Sequence, residues 1–294
     1  MNECLVKVVQ RSLKKLPLVA IEPLSRTLSS FVYLLLVKRR RIALANLDLA
    51  FGQTMSLVQK EKILRQNLFW FTRSLWELGK SLDLSLDFYT AHFSVHGEEQ
   101  LKTTYARGKG VIIVSAHMGN FPLMSVFFAL KGYKVGVVAK TPRKGFLAQV
   151  IEIFQKKLGI IFIQARENRE AVRLSLKHLR QGGMLFLLLD QNAPRHRAMV
   201  NFFGHPVPTP RSPILLAQRT EAPVVPLFSI CEPGLRHRVF IEPPINFNHN
   251  QGKEDVLTSL SRLMQIIETY VRRYPDQWWW WHRRWKEHID YERL

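Results

Sequence analysis

Val111-Ile112-Ile113-Val114-Ser115-Ala116-His117-Met118-Gly119-Asn120-Phe121-Pro122 is the stretch whose reading decides the fold. The run Val111–Ser115 is short, apolar and β-rich, as a buried strand must be. Pro122 marks the start of a helix, because proline is favoured at the first helical position. The stretch is therefore strand, loop and helix, with His117 in the loop at the carboxyl edge of a sheet.

The same alternation extends outward from it. Apolar runs recur at Val135–Ala139, 160–163, 184–189, 224–230 and 239–241. Amphipathic stretches at 123–130, Phe146–Leu158, 169–180, 212–219 and 254–273 fall between or after them. Strands alternating with helices imply a largely parallel, buried sheet. Sites in such sheets form beyond the carboxyl ends of the strands. Upstream, residues 57–80 place Ile63, Leu64, Leu68, Phe71, Leu75 and Leu78 near helical spacing. The expected architecture is α/β, with a largely parallel central sheet flanked by helices. Residues 1–90 form a helical, membrane-associating region and residues 91–294 the α/β domain.

The chain is strongly basic: 43 Lys and Arg face 23 Asp and Glu, a net charge of +20. Such a field draws polyanions, whether nucleic acid, an anionic membrane face or an acidic carrier protein. No nucleic-acid-binding motif accompanies the charge, so nucleic acid is set aside. Cys4 and Cys231 are the only cysteines. They imply neither a disulfide framework nor a CxxC metal site, and they suit a reducing compartment. The first residues do not have the pattern of a secretory signal. Residues 16–37 are the best membrane candidate, but Pro17, Glu22, Pro23 and Arg26 interrupt them, and a spanning helix needs ~20 apolar residues. An apolar stretch followed at once by Lys38-Arg39-Arg40-Arg41 has the pattern of an interfacial anchor, or of a core helix with a solvated basic turn.

Several residues carry candidate chemistry. Histidine is the usual general base near neutral pH, so His117 is a candidate base as well as a candidate structural loop residue. Gly119 permits close backbone approach, and the amides around Gly119 and Asn120 are placed to meet a developing oxyanion. Asp190, at the end of the fourth apolar run, is a helix cap, a loop-structuring acceptor or an active-site acid. Phe202-Phe203-Gly204 with Pro206, Pro208 and Pro210 forms a rigid aromatic loop, either a wall of an acyl pocket or surface packing. Trp278, Trp279, Trp280, Trp281 and Trp285 crowd one C-terminal segment with Arg283 and Arg284. They are expected partly in the core and partly at a lipid interface.

In order along the chain stand His117-x-Gly119-Asn120-aromatic, an apolar strand ending in Asp190-Gln191, Phe202-Phe203-Gly204, the run 222–226, and Gln277-Trp-x-Trp-x-His-Arg-Arg-Trp-Lys. Arg41, Asn46, Leu47, Ala50 and Phe51 precede them. This combination resembles the late acyltransferases of lipid A biosynthesis, the lauroyl/myristoyl branch of the lysophospholipid acyltransferase superfamily. The resemblance implies that His117 is the base, with Asp190 as an acid at the site. It implies phosphate-holding cations at Lys140, Arg143 and Arg166, and Phe202, Phe203, Trp278 and Trp280 at a membrane or acyl pocket. It further implies an acyl carrier protein or coenzyme A thioester as co-substrate, with no cofactor and no metal. The implied partners are the acyl carrier protein, an anionic glycolipid and the membrane surface, on the cytoplasmic face of a bacterial inner membrane, monotopic or held by one N-terminal anchor. The chain departs from the family at the fifth position after the histidine, where Pro122 stands in place of an acid. Asp190, Glu167 and Glu170 are the candidate replacements, and Asp190 is favoured because neighbouring strand ends converge on one edge.

Overall fold

The computed structural model describes residues 16–141, 146–165, 168–192, 197–245 and 256–294. After a 3-10 turn at Leu18–Ala20 come α1 (Ile21–Leu35), α2 (Val37–Phe51), α3 (Leu57–Lys80) and α4 (Leu86–His92). The α/β part continues with β1 (Phe93–His96), α5 (Glu98–Ala106), β2 (Val111–Ser115), α6 (Phe121–Leu130), β3 (Val135–Ala139) and α7 (Phe146–Leu158). It then runs through β4 (Ile161–Gln164), α8 (Asn168–Arg180), β5 (Met184–Leu188), β6 (Arg197–Phe202) and β7 (His205–Pro210). Last come α9 (Ser212–Thr220), β8 (Val224–Glu232), β9 (Arg236–Ile241) and α10 (Val256–Arg273).

Seven strands form one sheet in the order β1-β9-β8-β2-β5-β3-β4. Every neighbouring pair is parallel except β8 with β9. The expected α/β class and largely parallel sheet are what the structure has. β2 lies in the middle and is buried along its whole length. Its residues alternate between two cores, as the period of a strand requires. Ile112 and Val114 enter the core that also holds Leu47, Leu64, Leu68 and the C-terminal tryptophans. Val111 and Ile113 enter the opposite one, with Phe127, Phe128 and Phe186. Side chains of α2 and α3 thus share a core with the α/β part.

Two features depart from the sequence expectation. β1 was not foreseen, and the supposed aromatic loop is a hairpin of β6 and β7. Phe203 and Gly204 form its turn with φ of 54° and 78°. Two successive left-handed residues match the twist of a two-residue hairpin, and Gly204 adopts that conformation without a Cβ penalty.

Helix α1 is built inside out for a water-soluble helix. Ile21, Ser25, Ser29 and Tyr33 are its buried residues, and α1 packs on α3. Phe31, Leu34 and Leu35 are 60%, 62% and 65% exposed. The small serines allow α1 to lie close to α3, while Phe31, Leu34 and Leu35 face outward. Residues Leu18–Leu35 are long and apolar enough to cross a membrane, more than the interrupted sequence led us to expect. Lys38, Arg39 and Arg41 are exposed just beyond its end.

Candidate active site

β2 and β5 are adjacent and parallel, with Ser115 opposite Leu188. The chain two residues beyond each end therefore meets at one edge. His117 Nδ1 lies 2.8 Å from Asp190 Oδ1, and the His117 amide donates to Asp190 Oδ2 at 2.8 Å. The Trp278 indole N–H donates to the same Oδ2 at 2.7 Å. Burial alone would push the Asp190 carboxyl up. The charge of His117, its two hydrogen bonds and the indole outweigh burial and hold the carboxyl below its ordinary range. An ionised Asp190 accepts, so Nδ1 carries the proton and Nε2 is the basic atom. The His117 side chain is 24% exposed while Asp190 is 1% exposed, so the base reaches solvent and its acid does not. The Phe121 ring stands edge-on to the imidazole, 5.0 Å away.

The C-terminal segment runs alongside this loop. Trp279 N–H donates to His117 O at 2.9 Å, Gly119 N–H donates to Gln277 O at 3.0 Å, and Met118 pairs with Trp278 in an antiparallel bridge. Gly119 has φ of +53°, and a Cβ there would fall 1.9 Å from Ser229 O. Glycine is thus required, but for close approach to β8. Its amide is committed to Gln277, which corrects the expectation that it meets an oxyanion. Asn120 is fully buried and its Nδ2 donates to Glu77 Oε2 at 2.7 Å. Its side chain is thus directed to α3, while no described backbone hydrogen bond takes its amide.

Phe202, Phe203, Trp278 and Trp280 are 0%, 5%, 1% and 0% exposed. They pack on one another with ring centroids 4.6 to 6.2 Å apart. The expected membrane or acyl-pocket surface at these four residues is instead a buried aromatic core, because the rings pack edge to face and the two indole N–H groups find internal acceptors. Trp278 donates to Asp190, and Trp280 to Pro275 O at 2.6 Å. Trp279 is only partly buried and lies 4.2 Å from Phe71, whose ring is exposed on α3.

Lys140 is exposed at the carboxyl end of β3 and forms no ion pair among the described residues. Arg143, Arg166 and Glu167 lie outside the described residues. Glu170 pairs with Arg173 on α8 rather than with His117. Reading the sequence missed four supporting groups. Arg284 is fully buried and donates to Asn192 Oδ1, Pro208 O and Thr209 Oγ1 at 2.8, 2.8 and 3.0 Å. It ties the loop after Asp190 to β7. Burial brings its guanidinium down to about 10, opposed by Asp190. Burial brings His282 down to about 4, against the pull of Asp190, so it is neutral near pH 7. Glu77 and His237 are buried beneath the loop, 3.1 Å apart. Their apolar neighbours along α3 and β9 gave no sign that they meet. Among the described residues no three His, Cys, Asp or Glu side chains are grouped to hold a metal ion.

A phosphatidylinositol mannoside acyltransferase of Mycobacterium tuberculosis is 23% identical over 133 residues, 45% of this chain and 42% of that one. The chain thus spans less than half the length of this curated relative. The crystal structure of the 1-acyl-sn-glycerophosphate acyltransferase of Thermotoga maritima superposes with a TM-score of 0.43 and 13% identity, over 90% of this chain and all of that one. Residues 2–287 match the family described as bacterial lipid A biosynthesis acyltransferase, and the chain belongs to that family.

Proposed function

We propose that the protein transfers a fatty acyl chain from an acyl carrier protein thioester to a hydroxyl of a lipid A-type glycolipid at a membrane surface. The observation that carries this reading is the His117–Asp190 pair, with a buried acid at Nδ1 and an imidazole that remains partly exposed. His117 Nε2 removes the proton from the acceptor hydroxyl, and the oxygen forms a bond to the thioester carbonyl carbon. Negative charge moves to the carbonyl oxygen. The amides of Asn120 and Phe121 at the start of α6 are the donors we assign to it, since that of Gly119 is occupied. Collapse of the intermediate breaks the carbon–sulfur bond, and the imidazolium returns its proton to the departing thiolate. Asp190 keeps the tautomer and offsets the transient charge. Nothing is oxidised or reduced.

Beside the exposed apolar residues of α1, the exposed Phe71 of α3 packs on Trp279, whose amide donates to His117 O. A lipid acceptor resting in a leaflet would meet the base at that edge. The basic run at residues 38–41 suits anionic headgroups, and the charge of +20 suits an acidic carrier. Lys140 remains our candidate for an acceptor phosphate. A glycosylated phospholipid acceptor is a second reading, favoured by the mannoside acyltransferase relative.

The test compares lipids from cells with and without the protein by mass spectrometry, alongside transfer by the purified enzyme. One lipid class should lack one acyl chain. His117→Ala and Asp190→Asn should each lower transfer by roughly a thousandfold or more, and Glu170→Gln should leave it unchanged. Near-normal transfer by Asp190→Asn would remove the dyad from the mechanism. A missing chain on a mannosylated phospholipid selects the second reading.

A further inference from the structure

Asn120 stands at the N-cap of α6, where an asparagine ordinarily accepts a hydrogen bond from one of the first helical amides. Here it makes no such bond. Its Nδ2 turns inward to Glu77 Oε2, and its Oδ1 is buried without a partner. Pro122, in the first turn, has no N–H to offer. The loop that carries His117 is therefore held at this end by Glu77 on α3 rather than by its own helix.

Glu77 is itself fixed from several sides. Its Oε1 meets His237 Nε2 at 3.1 Å and Arg73 Nε at 3.3 Å. Arg73, fully buried, reaches Glu22 on α1 at 3.0 Å and Glu232 O at 2.6 Å. Burial would push the Glu77 carboxyl up, but His237, Arg73 and Asn120 outweigh it and keep it ionised. Glu77 brings His237 up to about 9 against burial, so that ring is protonated near pH 7. A line of ion pairs and hydrogen bonds thus runs from α1 through α3 to the residue three beyond His117. A buried carboxylate is costly unless it is paired and hydrogen-bonded on every side. A neutral core would fill this space at less cost. What the cluster delivers is the orientation of Asn120.

We propose that Glu77, acting through Asn120, is the positioning residue of the transfer reaction. It keeps the His117 loop, and with it the Asn120 and Phe121 amides assigned to the carbonyl oxygen, in register with Asp190. This rests on the acyl-transfer reading above. The sequence hid the link because residues 77 and 120 lie on separate elements with nothing in their spacing to join them.

Asn120→Ala removes the tether and leaves every charge paired. It should lower kcat roughly 10- to 100-fold, with KM for both substrates within about twofold and the folded fraction unchanged by circular dichroism. Asn120→Asp alone places two carboxylates together, frees the side chain to cap α6, and should lower kcat at least as much. The double variant Glu77→Gln with Asn120→Asp reverses donor and acceptor at the same net charge, and should recover at least tenfold of the loss in Asn120→Asp. A third readout does not need turnover. The low-field proton resonance of His117 Nδ1–H, present in the parent, should shift or broaden in Asn120→Ala. Positioning is overturned if Asn120→Ala keeps both the parental kcat and the parental resonance, or if its kcat falls only in proportion to the folded fraction. Failure of the double variant to fold leaves Asn120→Ala to decide alone. A parent that transfers no acyl group, yet loses its resonance in Asn120→Ala, sinks the acyl-transfer reading and keeps the positioning.

Discussion

The apolar N-terminal helix and the tryptophan-rich C-terminal segment look alike in one respect: each is a dense run of large hydrophobic side chains beside arginines. The structure puts them to opposite uses. In α1 the residues turned inward include Ser25 and Ser29, and Phe31, Leu34 and Leu35 face out. In the C-terminal segment Trp278, Trp280, Trp281 and Trp285 are all buried. Partners decide the difference. Each of these buried indoles has an internal acceptor: Asp190, Pro275 O, Asn67 Oδ1 and Phe202 O. An amphipathic ring enters a core when its N–H is satisfied there. The outer side chains of α1 have no polar handle, and α3 already covers the opposite side of the helix. Hydrophobicity alone therefore does not say which segment meets lipid. Among the described residues, the large apolar face left open belongs to α1.

The sharpest way to break this contrast is to truncate one ring in each segment. Trp280→Ala should cost ~3–5 kcal/mol in denaturant unfolding, as for a large aromatic removed from a packed core. Phe31→Ala should stay within ~0.5 kcal/mol of the parent. Equal costs would mean that α1 is core as well. Trp278→Phe comes next. It keeps an aromatic ring but removes one donor from an ionised, buried carboxylate. A hydrogen bond to a charged group is worth ~1.5–3 kcal/mol, so unfolding should become easier by about that much, and kcat should fall. Unchanged stability and turnover would show that the indole only fills space.

Leu35→Ser addresses the other side of the comparison. Binding to anionic vesicles, followed by sedimentation, should weaken about tenfold if this side chain enters the leaflet, since burying a leucine is worth ~1.5–3 kcal/mol. The unfolding midpoint should not move. Parental vesicle binding would remove α1 from the interface.

The most gradual effect is on pH. Asp190 and Glu77 have depressed values in the folded state, so their stabilisation is present above their unfolded values near 4 and is lost as pH falls below. His237 is raised from 6.5 to about 9, so its stabilisation is full below 6.5 and is lost as pH rises through about 9. His282 is lowered from 6.5 to about 4, so it costs stability as pH falls below 6.5, and unfolding free energy should be highest near pH 6.5 and decline on both sides. His237→Gln should lack the alkaline decline. The outward residues Phe31, Leu34 and Leu35 carry no titratable group, so insertion of that face into neutral vesicles should be flat over the same range.

Residues 111–122 by themselves determined a good deal about this protein. Val111–Ser115 is a strand, and α6 starts at Phe121, one residue before the Pro122 that marked it, because an apolar β-rich run and a proline at a helix start are local signals. Val135–Ala139 and Phe146–Leu158 have the predicted bounds for the same reason. A parallel sheet followed from the alternation, and Asp190 was picked out as the acid because strand ends converge. Only the tertiary structure decided that β2 and β5 are neighbours in matching register, which makes that convergence a 2.8 Å contact. It also decided that the hairpin of β6 and β7 forms in place of a loop, that the tryptophans turn inward, and that Gly119 and Asn120 spend their hydrogen bonds on Gln277 and Glu77. All but the hairpin depend on a partner at least 40 residues away or on which side of an element meets a neighbour. Periodicity specifies the faces of a helix or strand. Packing specifies what each face finds.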